Sequence, residues 1–224
     1  MDRQIVYAGA IPLDTDILSI ERNVLVALGF LAQATLGTGP VFDGLPCTPV
    51  AGQLAVSVGP GSGAAVLPLD PNGFGSIPAG VSSIVALGCN LQPVELTLGA
   101  PSASGSSQIW LIQACITEED TSTVVLPYWN AANPAIPFAG PGNSGTAQPT
   151  CRVQRVTLNA KAGVPAPTGT ETAPTADAGW VGLYSVTTDA GATQIAQSQI
   201  AQIFGAPLLS WKLLVCSLYS TPTD

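Results

Sequence analysis

The stretch DTDILSIERNVLVALGFLAQATLG, residues 14–37, constrains this chain more than any other, because it reads as a helix and is apolar almost all the way round. Asp14 or Thr15 is the expected N-cap, Asp16 places negative charge at the positive end of the helix dipole, and Gly37 stands at a natural stop. Apolar residues recur at Ile17, Ile20, Val24, Ala27, Leu31 and Ala34 in steps of three and four. Leu18, Leu25, Leu28 and Leu36 widen that stripe beyond half of the cylinder. Such a helix needs cover on most of its surface, either from its own β-structure or from copies of itself. The regular seam points to the second, with those six residues facing symmetry mates in a parallel assembly, and a plain core helix is the alternative on pattern alone. No membrane insertion is expected, because the uninterrupted apolar run, 24–32, is shorter than the roughly 20 residues a bilayer needs.

Composition makes the need for cover general. Charged residues are 9% of the 224, well under the ordinary quarter. Fourteen acidic and six basic side chains are a thin coat for an isolated monomer, so other subunits are expected to cover much of the surface. The net charge of −8 and the scatter of cations over Arg3, Arg22, Arg152, Arg155, Lys161 and Lys212 argue against a nucleic-acid partner. The N-terminus shows no charged leader followed by an apolar core and a cleavage site, so synthesis in the cytoplasm is expected.

The chemistry of common active sites is thin. There is no His, which removes the commonest general base, every Ser-His-Asp or Cys-His arrangement and most transition-metal sites. Cys47, Cys89, Cys115, Cys151 and Cys216 contain no CxxC pair and sit among apolar or β-prone neighbours, so they read as small buried hydrophobes. No catalytic, cofactor-binding or metal site is expected. Glu118, Glu119 and Asp120 form the one acidic cluster; it reads as the solvated tip of a hairpin, with a calcium loop or glycosidase carboxylates as the sharper alternatives. The glycine-rich VGPGSGAA, 58–65, lacks the Lys-Ser/Thr ending of a phosphate loop and reads as a tight turn. Tyr128 and Trp129, at the mouth of a long Pro-rich loop, are the one aromatic pair suited to touching a receptor, a sugar or a partner, although packing in a core or interface is the simpler reading.

The fold expected is mainly β: an N-terminal arm and assembly helix over 1–37, a β-rich domain over 38–162, and a linker with a C-terminal β segment over 163–224. Gly, Pro, Ser and Thr punctuate runs of Val, Ile and Leu that predict strands at 54–58, 64–67, 82–87, 94–97, 109–117, 123–128, 152–161, 179–187 and 193–200. The run 109–117 is apolar on both faces and should be central, whereas 152–161 alternates and should lie near an edge or interface. These strands suggest antiparallel sandwich-like or barrel-like structure. The loop at 129–150 is too long for a hairpin and reads as a functional loop or a segment ordered by a neighbouring subunit, and 163–177 reads as a semi-extended connector.

The opening MDRQIVYAGAIPLDTDIL, the helix with LGTGPVFDGLPCTP, and the later VVLPYWNAANP, GPGNSGTAQPT and GVPAPTGTETAPTADAGWVGLYSVTTDAGATQI form an ordered set over most of residues 1–203. This set resembles the N-terminal, baseplate-attachment region of tail-fibre and baseplate proteins of tailed bacteriophages. The resemblance implies a structural virion protein without enzymatic activity or cofactor, homotrimeric, made in the host cytoplasm and located in the tail or baseplate. Its implied partners are itself, other baseplate or tail proteins, and a host surface polysaccharide or receptor. A tail-borne depolymerase using Glu118, Glu119 or Asp120, and a carbohydrate-binding or capsid-decoration protein, are the rival classes.

Overall fold

The computed structural model describes residues 2–5, 7–80 and 82–209; Lys212, Cys216 and the end of the expected C-terminal β segment, 210–224, lie outside them. The described residues are mainly β, with one long helix, α1 (Asp14–Leu36), ahead of antiparallel sheets. One sheet joins β1 (Val41–Gly44), β4 (Gly61–Pro68) and β5 (Ser83–Asn90) in the order β1-β4-β5, and a second joins β2 (Cys47–Pro49), β3 (Ala55–Val58) and β6 (Val94–Thr97). The largest is built on β7 (Ser106–Val124), flanked by β10 (Gln148–Ala162) on one side and by β12 (Val181–Asp189) and then β13 (Ile200–Gln202) on the other. A small ribbon of β8 (Pro127–Tyr128) and β9 (Phe138–Ala139) follows β7, and β11 (Ala166–Pro167) pairs with the start of β7.

The expected central strand is central, with Leu111, Ile112, Gln113 and Ala114 all buried. It is also much longer than its apolar run. Instead of turning at the acidic cluster, β7 continues through it, because β10 supplies cross-strand partners: Gln154 faces Glu118 and Arg152 faces Asp120. The expected strand at 123–128 is therefore divided between the end of β7 and the two residues of β8. The expected strand at 193–200 survives only as Ile200 in β13; Gln197–Gln199 is a 3-10 turn and Ile195 plugs the core. Neither β1 nor β2 is foreshadowed by a run of apolar residues, yet Phe42 of β1 is 1% exposed.

Alternate residues of β7, Ile112, Ala114 and Ile116, enter one hydrophobic core with Phe42, Val56, Val58, Val156, Leu183, Val186 and Ile195. That core takes side chains from both sides of the boundary expected at 162/163. The connector 163–177 packs over the other face of β7. Gln113, fully buried, donates through Nε2 to Asp177 Oδ2 at 2.6 Å and accepts the Asp177 N–H at 3.0 Å. Leaving such an amide unpaired costs about 1–3 kcal/mol, so Asp177 fixes where the connector lies.

The helix ends where Gly37 adopts a positive φ of 80° and donates its N–H to Gln33 O at 2.9 Å. Its start departs from expectation. Leu13 is the N-cap residue, and Asp16 Oδ2 accepts the Leu13 N–H at 2.8 Å while Asp14 Oδ2 reaches across to the Ser76 N–H at 2.9 Å. The helix rests on β5 through Gly29, Ala32 and Leu36, with Ala32 packed against Ala64 and Val85. A Cβ at Gly29 would stand 2.8 Å from Val85 O. We therefore expect Gly29→Leu to lever α1 off the sheet at roughly 1–3 kcal/mol, which lowers the thermal midpoint by about 2–4 °C per kcal/mol. Gly39→Ala, with nothing within 4 Å, should leave the midpoint unchanged in the same calorimetric scan, and an unchanged Gly29→Leu midpoint would contradict this seating.

Candidate functional site

An α-helix turns once in 3.6 residues, so the row Leu18, Arg22, Leu25, Gly29, Ala32 and Leu36 and the row Ile17, Ile20, Val24, Ala27, Leu31 and Ala34 lie on nearly opposite sides of α1. The first row faces this chain's own β-structure. The second faces outward: Ile17 is 67% exposed, Ile20 54%, Val24 52% and Leu31 61%. Ala34 is exposed, Ala27 is half-buried, and the exposed Leu28 and Phe30 broaden the stripe. Exposed apolar surface gathered along one helix face is characteristic of an interaction site.

The N-terminal arm borders that stripe. Asp2, Arg3 and Gln4 enclose a hollow with Ile20, Asn23 and Val24, and Gln4 Nε2 donates to Asp16 Oδ1 at 2.7 Å. Farther along the arm Ile5, Tyr7, Ile11 and Leu13 are all largely exposed.

On the inner side of α1 an ionic cluster ties the helix to the sheet. Asp70, 5% exposed and at a positive φ of 47°, accepts a hydrogen bond from Arg152 Nη1 on Oδ1 and forms an ion pair with Arg22 Nε through Oδ2, each at 3.2 Å. Arg152 also grips Asp120 with two hydrogen bonds, Nε to Oδ1 at 2.6 Å and Nη2 to Oδ2 at 2.9 Å, and its guanidinium lies 4.7 Å from the centre of the Phe74 ring. Glu118 accepts from Gln154 Nε2 at 3.0 Å and stands 3.8 Å from Arg152 Nε. The hydrogen bonds from Arg152 hold the Asp120 carboxyl below the usual aspartate range, and those from Ser76 do the same for Asp14. A carboxyl held low is a poor proton donor at neutral pH, so Asp120 is suited to pairing rather than to acid catalysis. Glu118 and Asp120 are thus cross-strand partners in a paired ribbon and not the solvated hairpin tip the sequence suggested.

Beside the cluster lies a cavity of about 370 Å³ between Leu18, Arg22 and Leu25 of α1, Phe74, and Cys151, Arg152 and Gln154 of β10. An adjoining hollow of about 390 Å³ shares Leu18, Phe74, Thr150, Cys151 and Arg152 with it.

Tyr128 and Trp129 belong to a different part of the molecule, at the β8–β9 ribbon. The Tyr128 hydroxyl donates to Gln148 Oε1 at 2.5 Å, and Trp129 is 74% exposed, so neither is packed in this chain's core. The cysteines divide. Cys47 is buried and burial pushes its thiol up to about 11, and burial likewise raises the half-buried Cys115. Cys89 and Cys151 are exposed, against expectation, because strand alternation turns them outward despite apolar neighbours.

Taken over all 23 residues, α1 is long and apolar enough to cross a membrane by length and composition alone. Its charge is concentrated in Asp14, Asp16, Glu21 and Arg22, and the fourteen residues after Arg22, 23–36, would reach about 21 Å, short of a roughly 30 Å hydrocarbon core. No protein-family model, curated protein or solved structure matches the chain.

A carboxyl whose folded pKa is depressed stabilises fully above its unfolded pKa and loses that contribution as pH falls through the folded value. Asp14 and Asp120 should therefore support stability down to about pH 4 and lose it below. Unfolding midpoints measured across this range should show a shallower acid decline for Asp120→Asn than for the parent protein; identical acid limbs would remove Asp120 from the account.

Proposed function

We propose that this chain is a structural virion subunit of a tailed bacteriophage, a tail-fibre or baseplate-attachment protein that assembles as a homotrimer through the outward stripe of α1. The observation that carries the reading is the outward row of Ile17, Ile20, Val24 and Leu31, regular enough for helix-on-helix packing and more than half exposed within one chain. Its placement in a phage tail is supported by the ordered motif set of residues 1–203, and its assembly by a composition with too little charge for a free monomer. The protein acts as a scaffold in this reading: α1 joins the copies, the arm contacts neighbouring parts of the tail or baseplate, and the sheets carry the loops.

Light scattering should give a particle of three times the 22.6 kDa subunit mass. Val24→Asp, which gathers three carboxylates in the seam at several kcal/mol per ion, should reduce it to the single subunit, while Gln33→Asp should not. A monomeric parent protein contradicts the assembly, and labelled antibody bound to heads instead of tails would contradict the location.

A second role is favoured by one observation, the exposed Trp129 beside Tyr128 on the β8–β9 ribbon. Aromatic faces of this kind stack on sugars, and Trp129→Ala should weaken retention of the particle on host surface polysaccharide without altering its mass. Equal retention would leave Trp129 without that role.

A further inference from the structure

The seat of the arm and the proposed assembly seam compete for the same surface. Asp2, Arg3 and Gln4 border the hollow over Ile20, Asn23 and Val24, so packing copies along that stripe displaces the first residues of the arm. The displaced segment carries Arg3, which has no hydrogen bond or ion pair among the described residues, together with the exposed Ile5, Tyr7 and Ile11. It needs another seat.

The two adjoining cavities on the far side of α1 provide one. Glu21, Asp70, Glu118 and Asp120 outnumber Arg22 and Arg152 around them, leaving an excess of negative charge. Glu118 and Asp70 have side chains only 10% and 6% exposed, and Glu118 Oε1 and Asp70 Oδ2 are buried without a hydrogen bond, their nearest cations standing at 3.8 Å and 3.2 Å. Such acceptors suit a guanidinium, which brings five N–H donors. Leu18, Leu25 and Phe74 add apolar wall, and β10 is the edge strand of its sheet, beside which an extended segment can lie.

Resting on the assembly reading above, we propose that the arm of one copy, residues 2–13, crosses to a second copy and lies in this groove, with Arg3 donating to the carboxylates of Glu118 and Asp70. Within its own chain the arm is tethered on the opposite side of the helix by the bond from Gln4 to Asp16. Assembly through the stripe and exchange of the arm thus become one event, in which each copy gives up its own arm and receives another.

Cys151, exposed and lining both cavities, is a built-in reporter. Full-length Arg3→Cys protein, mildly oxidised with copper phenanthroline, should give bands at two or more times the subunit mass on a denaturing gel. Those bands should vanish with dithiothreitol and in the Arg3→Cys, Cys151→Ser double variant. A preparation that is still trimeric by light scattering yet yields only the single-chain band, or bands that persist without Cys151, overturns arm exchange and leaves the assembly reading intact. A monomeric preparation overturns both. Without any cross-linking, Arg3→Glu should raise the concentration at which the trimer dissociates by tenfold or more, whereas Arg155→Glu, an exposed cation outside the groove, should not; equal dissociation of the two also overturns the exchange.

Discussion

The seating of α1 on β5 is the contact on which the outward character of this molecule depends. Gly29 brings the helix against the backbone of Val85, and Asp70 binds Arg22 of the helix to Arg152 of the sheet. Those two contacts fix the rotation of α1 about its own axis. Because the rotation is fixed, Ile17, Ile20, Val24 and Leu31 point away from the sheets, and a helix apolar on nearly every side becomes a helix with one face used and one face free. The glycine is essential to this geometry: a larger residue would hold the helix away from the sheet and loosen the ionic tie beside it.

The sheets supply a rigid base for that arrangement through β7. Its apolar half is sealed on both faces, by the core on one side and by the connector clamped at Gln113 on the other. Its polar half extends past the core as a ribbon with β10, and there the cross-strand pairs Glu118 with Gln154 and Asp120 with Arg152 replace hydrophobic burial as the source of order. The same Arg152 serves the ribbon and the helix. Loss of its charge would therefore be felt in both, which distinguishes it from an exposed ion pair of little consequence.

What the sequence disclosed follows the range of the interactions involved. Gly37 as the stop of the helix, the centrality of 109–117 and the edge position of 152–161 depend on local pattern and hydrophobic period, and each is found where that pattern places it. The misreadings involve partners distant in the chain. Asp14 looked like an N-cap but bonds Ser76, 62 residues away, and the acidic cluster looked like a turn because Arg152, 32 residues beyond Asp120, could not be paired with it by pattern. Ile195 gave no sign that it would enter the core from an irregular segment. The two faces of α1 posed a harder problem, since both rows repeat in steps of three and four. The one local clue was Arg22 in the row that turned inward, and its meaning depended on a buried Asp70 that the sequence does not announce.

Hydrogen exchange along α1 as a function of protein concentration reports whether the outward face is covered by other copies. Amides of peptides spanning 14–36 should become markedly more protected as concentration rises through the association midpoint, while those of β7 stay unchanged. Exchange in α1 that is independent of concentration, in protein that is folded throughout, would contradict the account.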